Sequence, residues 1–536
     1  MAVRKRIQLK MKMNSIKKTS VVLAMVLTSM SNLFAQSMED GVKKFKYKRY
    51  ESAKAIFSTM TDPLSNYYLG LIEIENENLK SAEAIFQKFL EDPANQAGLA
   101  RVKLLQKDVS TATSLIEKAA SKAKKKDIRP LQYAADAITY TEGMDPNKAI
   151  ELYKKALETE KNGDLYIGLG DAYRKLQGGG GNAMTNYENA EMFPAVQSLA
   201  NYKKGNLWYA AKNYDSALAN YARASDLDKE NPLPFKALAD AYYKVNRFKL
   251  SKENIEKYLE LSDKSIDDQI QYANTLYLAK EYQNAIQKMN DLIGKGAERP
   301  YMYRVIGFSQ YEIKDFTNAK INMDKFFVKQ DPLKIIPQDH IYYGKILLKD
   351  TNTASMAESS FNKGIAIDTS SDKIPVFRNI AEAYYDAELY GNSGNWYKKI
   401  VESNSPGIEA VDYWWAGVMY FYARDYANAE PMIRLYHSKY PDEPTSIFWL
   451  ARITEATKDK DYKTGAAKDY YNQWIGKINE DPAKKKDLLK AYTYLAMVAY
   501  TANNKADAKL YSDKLIALDP ANSVGTQIQK ALPAMK

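Results

Sequence analysis

Apolar residues recur along this chain at three- and four-residue steps, the period of amphipathic helices, and short polar links separate the helical stretches. In GDLYIGLGDAYRKLQ, for example, Tyr166, Leu169, Gly170 and Tyr173 keep that step. A longer period lies above it. Small residues at Gly205, Ala239, Ala273 and Gly307 stand 34 residues apart, as do the aromatics Tyr214, Phe248, Tyr282 and Phe316. Ala217, Ser251, Ala285 and Ala319 keep the same spacing. Agreement at several positions over four units predicts helix pairs, each too small to bury its own apolar face and therefore stacked on its neighbours. Small residues at the crossing points let the two helices of a pair approach, and aromatic residues fill the gap to the next pair.

One stretch, RKLQGGGGNAMT from Arg174, fits the spacing of a dinucleotide loop at Gly178, Gly180 and Ala183. Such a loop needs a buried strand running into the glycines. Here a helical period enters them, and Ala183, Tyr187 and Ala190 continue a second helical period beyond. The run therefore reads as the internal turn of a helix pair. Gly170 and Ala183 lie 13 apart where most units have 12, so this turn is longer by one residue.

The pattern resembles the tetratricopeptide repeat family, whose units read W-x2-L-G-x2-Y, then A-x3-F, then P. Leu169, Gly170 and Tyr173 fit the first half; Ala53 with Phe57 and Ala82 with Phe86 fit the second. About fourteen units cover nearly all of residues 37–522. The resemblance implies an all-α fold: a right-handed superhelical solenoid of stacked antiparallel helix pairs. Breaks in the period divide it into residues 36–129 with short repeats, a regular block at 130–333, and residues 334–536, with an insertion near 462–482 and a terminal capping helix.

The first 35 residues stand apart. A basic stretch, an apolar run from Val21 to Met30 and then Ser-Asn-Leu-Phe-Ala-Gln read as a secretory signal peptide cleaved after Ala35. The apolar run is shorter than the roughly 20 residues a membrane span needs. This leader accounts for most of the net charge of +11, because it carries seven bases and no acid. The remaining 70 bases face 66 acids, which gives no electrostatic footprint for nucleic acid. The chain has no cysteine, so neither a disulfide framework nor thiolate chemistry is available.

Catalytic and metal-binding patterns are missing from the sequence. His340 and His437 are the only histidines and sit in different units. The Gly-Lys pairs lack the following Ser or Thr of a phosphate loop, and the acidic cluster at Asp226, Asp228 and Glu230 lacks the glycine and distal Glu of a calcium loop. No cofactor and no metal are expected. The resulting expectation is a non-catalytic protein–protein interaction scaffold that holds a peptide or partner protein in the concave groove of the superhelix. By the resemblance, an exported array serves an assembly of the bacterial cell envelope, in the periplasm, with peripheral outer-membrane association through a partner. The alternative is a hydrolase or carbohydrate-processing enzyme on the same scaffold.

Two sets of residues are candidates for binding. Tyr209, Tyr243, Tyr277 and Tyr311 recur every 34 residues, one place after the position of Tyr173, and the resemblance implies that they line the groove as a ladder. Trp414, Phe421, Tyr422 and Phe448 form the second set. Five of the six tryptophans fall after residue 390, an asymmetry that even stacking does not require. Trp414 and Phe421 are seven apart, and Phe448 takes the Trp414 place 34 residues later, so the two are expected as neighbours on the groove wall. The competing reading is that these rings fill the core of an irregular segment.

Overall fold

A computed structural model describes residues 37–536; the expected leader and its cleavage boundary before Gln36 lie outside the described residues. The described residues form 29 α-helices, beginning with residues 37–46 and Tyr50–Phe57. They pair consecutively into fourteen antiparallel pairs, and a last helix, Ser523–Ala531, lies against Lys505–Leu518 and buries Ile528. Among the described residues there is no strand, only an isolated bridge between Lys124 and Asp127. The fold is an all-α solenoid of stacked helix pairs.

The described residues divide into two compact units, one ending at Glu298 and the other Arg299–Lys536. The division falls inside the block of 34-residue period. Unit 1 holds the first eight pairs, ending with Ile266–Leu278 and Tyr282–Gly294; unit 2 holds the other six, from Pro300–Glu312 and Phe316–Lys329 onward.

Local chemistry sets the helix boundaries. First helices of pairs open on proline behind an acidic or amide cap, as in Asp62-Pro63, Asp92-Pro93 and Asn231-Pro232, where the cap side chain accepts from the backbone one or two residues beyond the proline. Inside the regular pairs the turn is closed by one residue in the left-handed region, at Lys212, Asn246, Lys280 and Lys314, again 34 apart. Its N–H bonds back to the carbonyl three residues earlier, as Lys212 does to Tyr209 at 3.0 Å.

Packing explains the small residues. A Cβ on Gly205 would fall 2.5 Å from the Tyr221 ring, and one on Gly170 would fall 2.5 Å from Tyr187. The first pair of positions is 16 apart and the second 17, which is the extra residue of the glycine-rich turn. That turn joins Gly163–Arg174 to Gly180–Glu191, so a helix enters the glycines and a helix leaves them. Gly178 has φ +72°, and a Cβ on Gly179 would sit 1.9 Å from the Tyr173 carbonyl oxygen, whereas Gly180 and Gly181 face open space. Two of the four glycines are required by the turn and two are not.

Charged staples tie some consecutive pairs together. A cation on the first helix of one pair meets a carboxylate in the first turn of the next: Lys236 with Asp268 at 2.5 Å, Arg304 with Asp339 at 2.7 Å, and Arg378 with Asp412 at 2.6 Å. The thirteenth pair departs from the pattern. Its helices, Pro444–Lys458 and Lys468–Ile478, are joined by a long connection at 459–467. The buried Asp459 carboxylate pins it by accepting from the N–H groups of Thr464 and Gly465 at 2.8 and 2.9 Å.

Candidate functional site

The lengthened thirteenth pair creates a cavity in unit 2. Its second helix ends at Ile478, and residues 479–484 detour before the next helix, Lys485–Thr501, begins. The space left between the starts of Ala410–Tyr422, Pro444–Lys458 and Lys485–Thr501 has a volume of about 510 Å³. Trp414, Phe448, Trp449 and Trp474 line its wall, and Glu443 and Asp487 lie on its border. Phe448 and Trp474 are fixed against each other at 4.8 Å between ring centroids. Trp414 is half-buried and packs on Trp415 at 4.6 Å, and its indole Nε1–H is buried without a hydrogen-bond acceptor. Buried Trp N–H groups usually find a partner, and this one has none within the chain.

The four C-terminal candidates therefore separate. Trp414 and Phe448 share the cavity as neighbours, although Phe448, at 4% exposure, belongs equally to the core. Phe421 and Tyr422 gather around Trp449 instead, at 5.2 and 6.0 Å, with the Arg452 guanidinium 5.0 Å above the Phe421 ring. Phe421 is buried there, while Tyr422 is 52% exposed. Sequence reasoning did not single out Trp449, Trp474 or Asp487. The clustering of tryptophans after residue 390 was the available signal; which faces they shared depended on the irregular connection.

The tyrosine set has a local role in each pair. Tyr209, Tyr243, Tyr277 and Tyr311 each meet the first ring of their own second helix, Tyr214, Phe248, Tyr282 and Phe316, at 5.5 to 6.0 Å across the internal turn. Each ring therefore buttresses the turn that carries the left-handed residue. Tyr209 also lines a second, smaller cavity in unit 1, of about 260 Å³, with Tyr202, Tyr221, Tyr258, Asp240 and Lys48. Burial pushes the Asp240 carboxyl up, although the Gln271 amide donates to it at 2.6 Å.

Unit 1 also carries desolvated carboxylates on its first helices, Asp136 and Asp171 among them. Burial raises Asp136 to about 7, although the Tyr153 hydroxyl donates to it at 2.5 Å. Asp171 is equally desolvated, yet the Lys203 ammonium at 2.6 Å and the Tyr187 and Tyr140 hydroxyls hold it below its ordinary range. These groups are engaged with one another inside the packing. The histidines are packing residues as well: His340 stacks on Phe327 at 4.8 Å, and His437 Nδ1 meets Ser446 Oγ at 2.9 Å. Among the described residues no group of three or more His, Cys, Asp or Glu is placed to hold a metal ion, and no helix is long and apolar enough to cross a membrane.

No protein-family model matches the chain. It is 24% identical over 305 residues to a TPR repeat-containing protein of Methanocaldococcus jannaschii, covering 51% of this chain and 48% of that one. The chain is a tetratricopeptide-repeat protein. A second relative of this tetratricopeptide array is the mitochondrial import receptor subunit TOM70 of Saccharomyces cerevisiae, 23% identical over 367 residues, covering 64% of this chain and 52% of the relative. The array thus spans about half the length of the curated relatives it matches. Among solved structures, the C-terminal part of a TPR repeat-containing protein from Cytophaga hutchinsonii is 25% identical, with a TM-score of 0.40, covering 48% of this chain and 98% of that one.

Proposed function

We propose that this tetratricopeptide array is a non-catalytic scaffold of the cell envelope that holds a segment of a protein partner, and that the aromatic cavity of unit 2 receives one of the partner's side chains. The observation that carries the reading is the cavity wall of Trp414, Phe448, Trp449 and Trp474 with the unpaired Trp414 N–H. A partner's apolar or aromatic side chain fits the rings. Aromatic anchors in desolvated pockets carry much of the energy at protein interfaces. One relative is named as an import receptor subunit, a protein-binding role on a related array. The leader pattern of residues 1–35 supports export, which puts the partner in the envelope. Asp136 and Asp171 are engaged by Tyr and Lys side chains within the packing, which favours a structural role for those two carboxylates.

A photo-cross-linking amino acid at Val411 tests this in living cells, since Val411 borders the cavity and is 42% exposed. The same group at Val328, 85% exposed and away from the cavity lining, is the control. A partner cross-linked from 411 and not from 328, on protein whose N-terminus is Gln36, is the expected result. Equal cross-linking from both positions, or recovery of chain with the intact leader in the cytosol, overturns it.

A further inference from the structure

In unit 1 the first helix pair reaches far along the chain. Its turn and flanking residues carry the sequence Lys43-Lys44-Phe45-Lys46-Tyr47-Lys48-Arg49. Lys43 pairs with Glu230 at 2.7 Å and Lys46 with Asp164 at 2.9 Å. The Tyr47 hydroxyl donates to Asp228. Asp263 accepts from the Ser52 hydroxyl at 2.5 Å and from the Glu51 N–H at 2.9 Å, with Arg49 at 3.6 Å. The four acids stand at the link before a first helix or in its opening turn, in the fifth, seventh and eighth pairs. They thus form an acidic row along one edge of the stack, and the basic turn of the first pair lies across it. Lys48 of the same turn is among the residues lining the Tyr209 cavity.

The contact differs in kind from the packing between consecutive pairs. The apolar residues Met38, Val42 and Tyr50 of the first pair pack with Ala53, Phe57 and Ile72, within the first two pairs. What holds the first pair to the fifth, seventh and eighth is charged and polar groups that stay partly in solvent, from Asp263 at 20% exposure to Glu230 at 76%. Exposed ion pairs are weak singly and are screened by salt over a distance of about 8–10 Å at ordinary ionic strength. A solenoid whose pairs contact mainly their neighbours can also flex without breaking its core.

We propose that the first helix pair is a detachable clamp, so that unit 1 exchanges between a closed form and an open form in which the row Asp164, Asp228, Glu230 and Asp263 is free to take a Lys/Arg-rich segment of a partner. The bound N-terminal turn is the resident occupant of that surface, and a basic partner segment competes with it. This goes beyond the function proposed above, whose site lies in unit 2, and its test does not use that site.

The chain has no cysteine, so Glu51→Cys and Lys264→Cys place two spin labels beside the Asp263 contact with no background. Pulsed electron resonance is expected to give one short distance at low salt and a second, longer population at 1 M NaCl. A short distance alone at both salts shows that the clamp does not open; a long distance alone at low salt shows that it does not close. Either overturns the proposal. The second arm uses a labelled synthetic peptide copying residues 40–53 as the probe. Full-length protein carrying Lys43→Glu, Lys46→Glu and Arg49→Glu, with the acidic row intact, is expected to bind it at least tenfold more tightly than the parent. Equal affinities overturn the competition.

Discussion

Units 1 and 2 use the same helix pair and fill it differently. In unit 1 many of the large side chains between pairs are tyrosines, and several of them bond desolvated carboxylates: Tyr153 with Asp136, Tyr258 with Asp268, and Tyr187 and Tyr140 with an Asp171 that Lys203 also pairs. Its first pair returns to its last pairs through ions. In unit 2 tryptophans take over, and one irregular pair opens a cavity between their rings. The staple motif is common to both, as Lys236 with Asp268 and Arg378 with Asp412 show. The repeat therefore fixes how pairs stack but leaves the filling free. Charge in the filling makes a contact that pH and salt can adjust, and aromatic filling makes one that volume decides.

Removing volume from unit 2 has the largest expected effect. Phe448→Ala takes a buried ring from between Trp474 and Trp449 and is expected to cost about 3–5 kcal/mol in denaturant unfolding of unit 2. A cost under about 1 kcal/mol would mean that the ring is an open cavity wall and not core. Breaking a staple comes next. Arg378→Ala strands the fully buried Asp412 carboxylate, which now takes 2.8 and 2.6 Å bonds from the guanidinium, for a loss of roughly 3 kcal/mol. Asp412→Asn in the Arg378→Ala background is expected to recover part of it, because no charge is then left unpaired.

In unit 1 the adjustable quantity is protonation. Asp136 titrates near 7 in the folded chain, above the unfolded value of ~3.9. The stabilisation from its neutral form is therefore complete below about pH 4 and lost as pH rises through 7. Asp136→Asn keeps the neutral shape at every pH. Relative to the parent it is expected to change little at pH 4 and to gain roughly 1–4 kcal/mol at pH 8. A difference that does not vary with pH would show that burial does not set this carboxyl. The smallest effect is expected at the surface. Lys46→Ala removes an exposed ion pair with Asp164 and should leave the melting temperature within error while lowering the salt concentration at which unit 1 opens.

Much of the fold was legible before any coordinates. The 34-residue spacing of Gly205, Ala239, Ala273 and Gly307 follows from a packing need, since the facing helix leaves no space for a Cβ at Gly205 and Gly307 and buries the methyl of Ala239 and Ala273. The glycine-rich run was legible as a turn because helical periods flank it. Long-range geometry was not. The acidic link at Asp228 and Glu230 reads as a polar connection, and only the path of the solenoid brings Lys43 and Tyr47 to it across more than 180 residues. Trp414 and Phe448 were legible as neighbours from the period. Phe421 and Tyr422 were not separable from them, because the faces in that segment are set by how Trp449 and Arg452 pack, and no period records that.

Capture of the partner by the parent, Trp414→Ala and Phe448→Ala, measured beside their melting temperatures, tests the central claim most directly. Trp414 is half-buried with an unpaired N–H, so its loss is expected to abolish capture while the melting temperature falls much less than in Phe448→Ala. Capture by Trp414→Ala equal to that of the parent would contradict the assignment of the unit 2 cavity as the partner site.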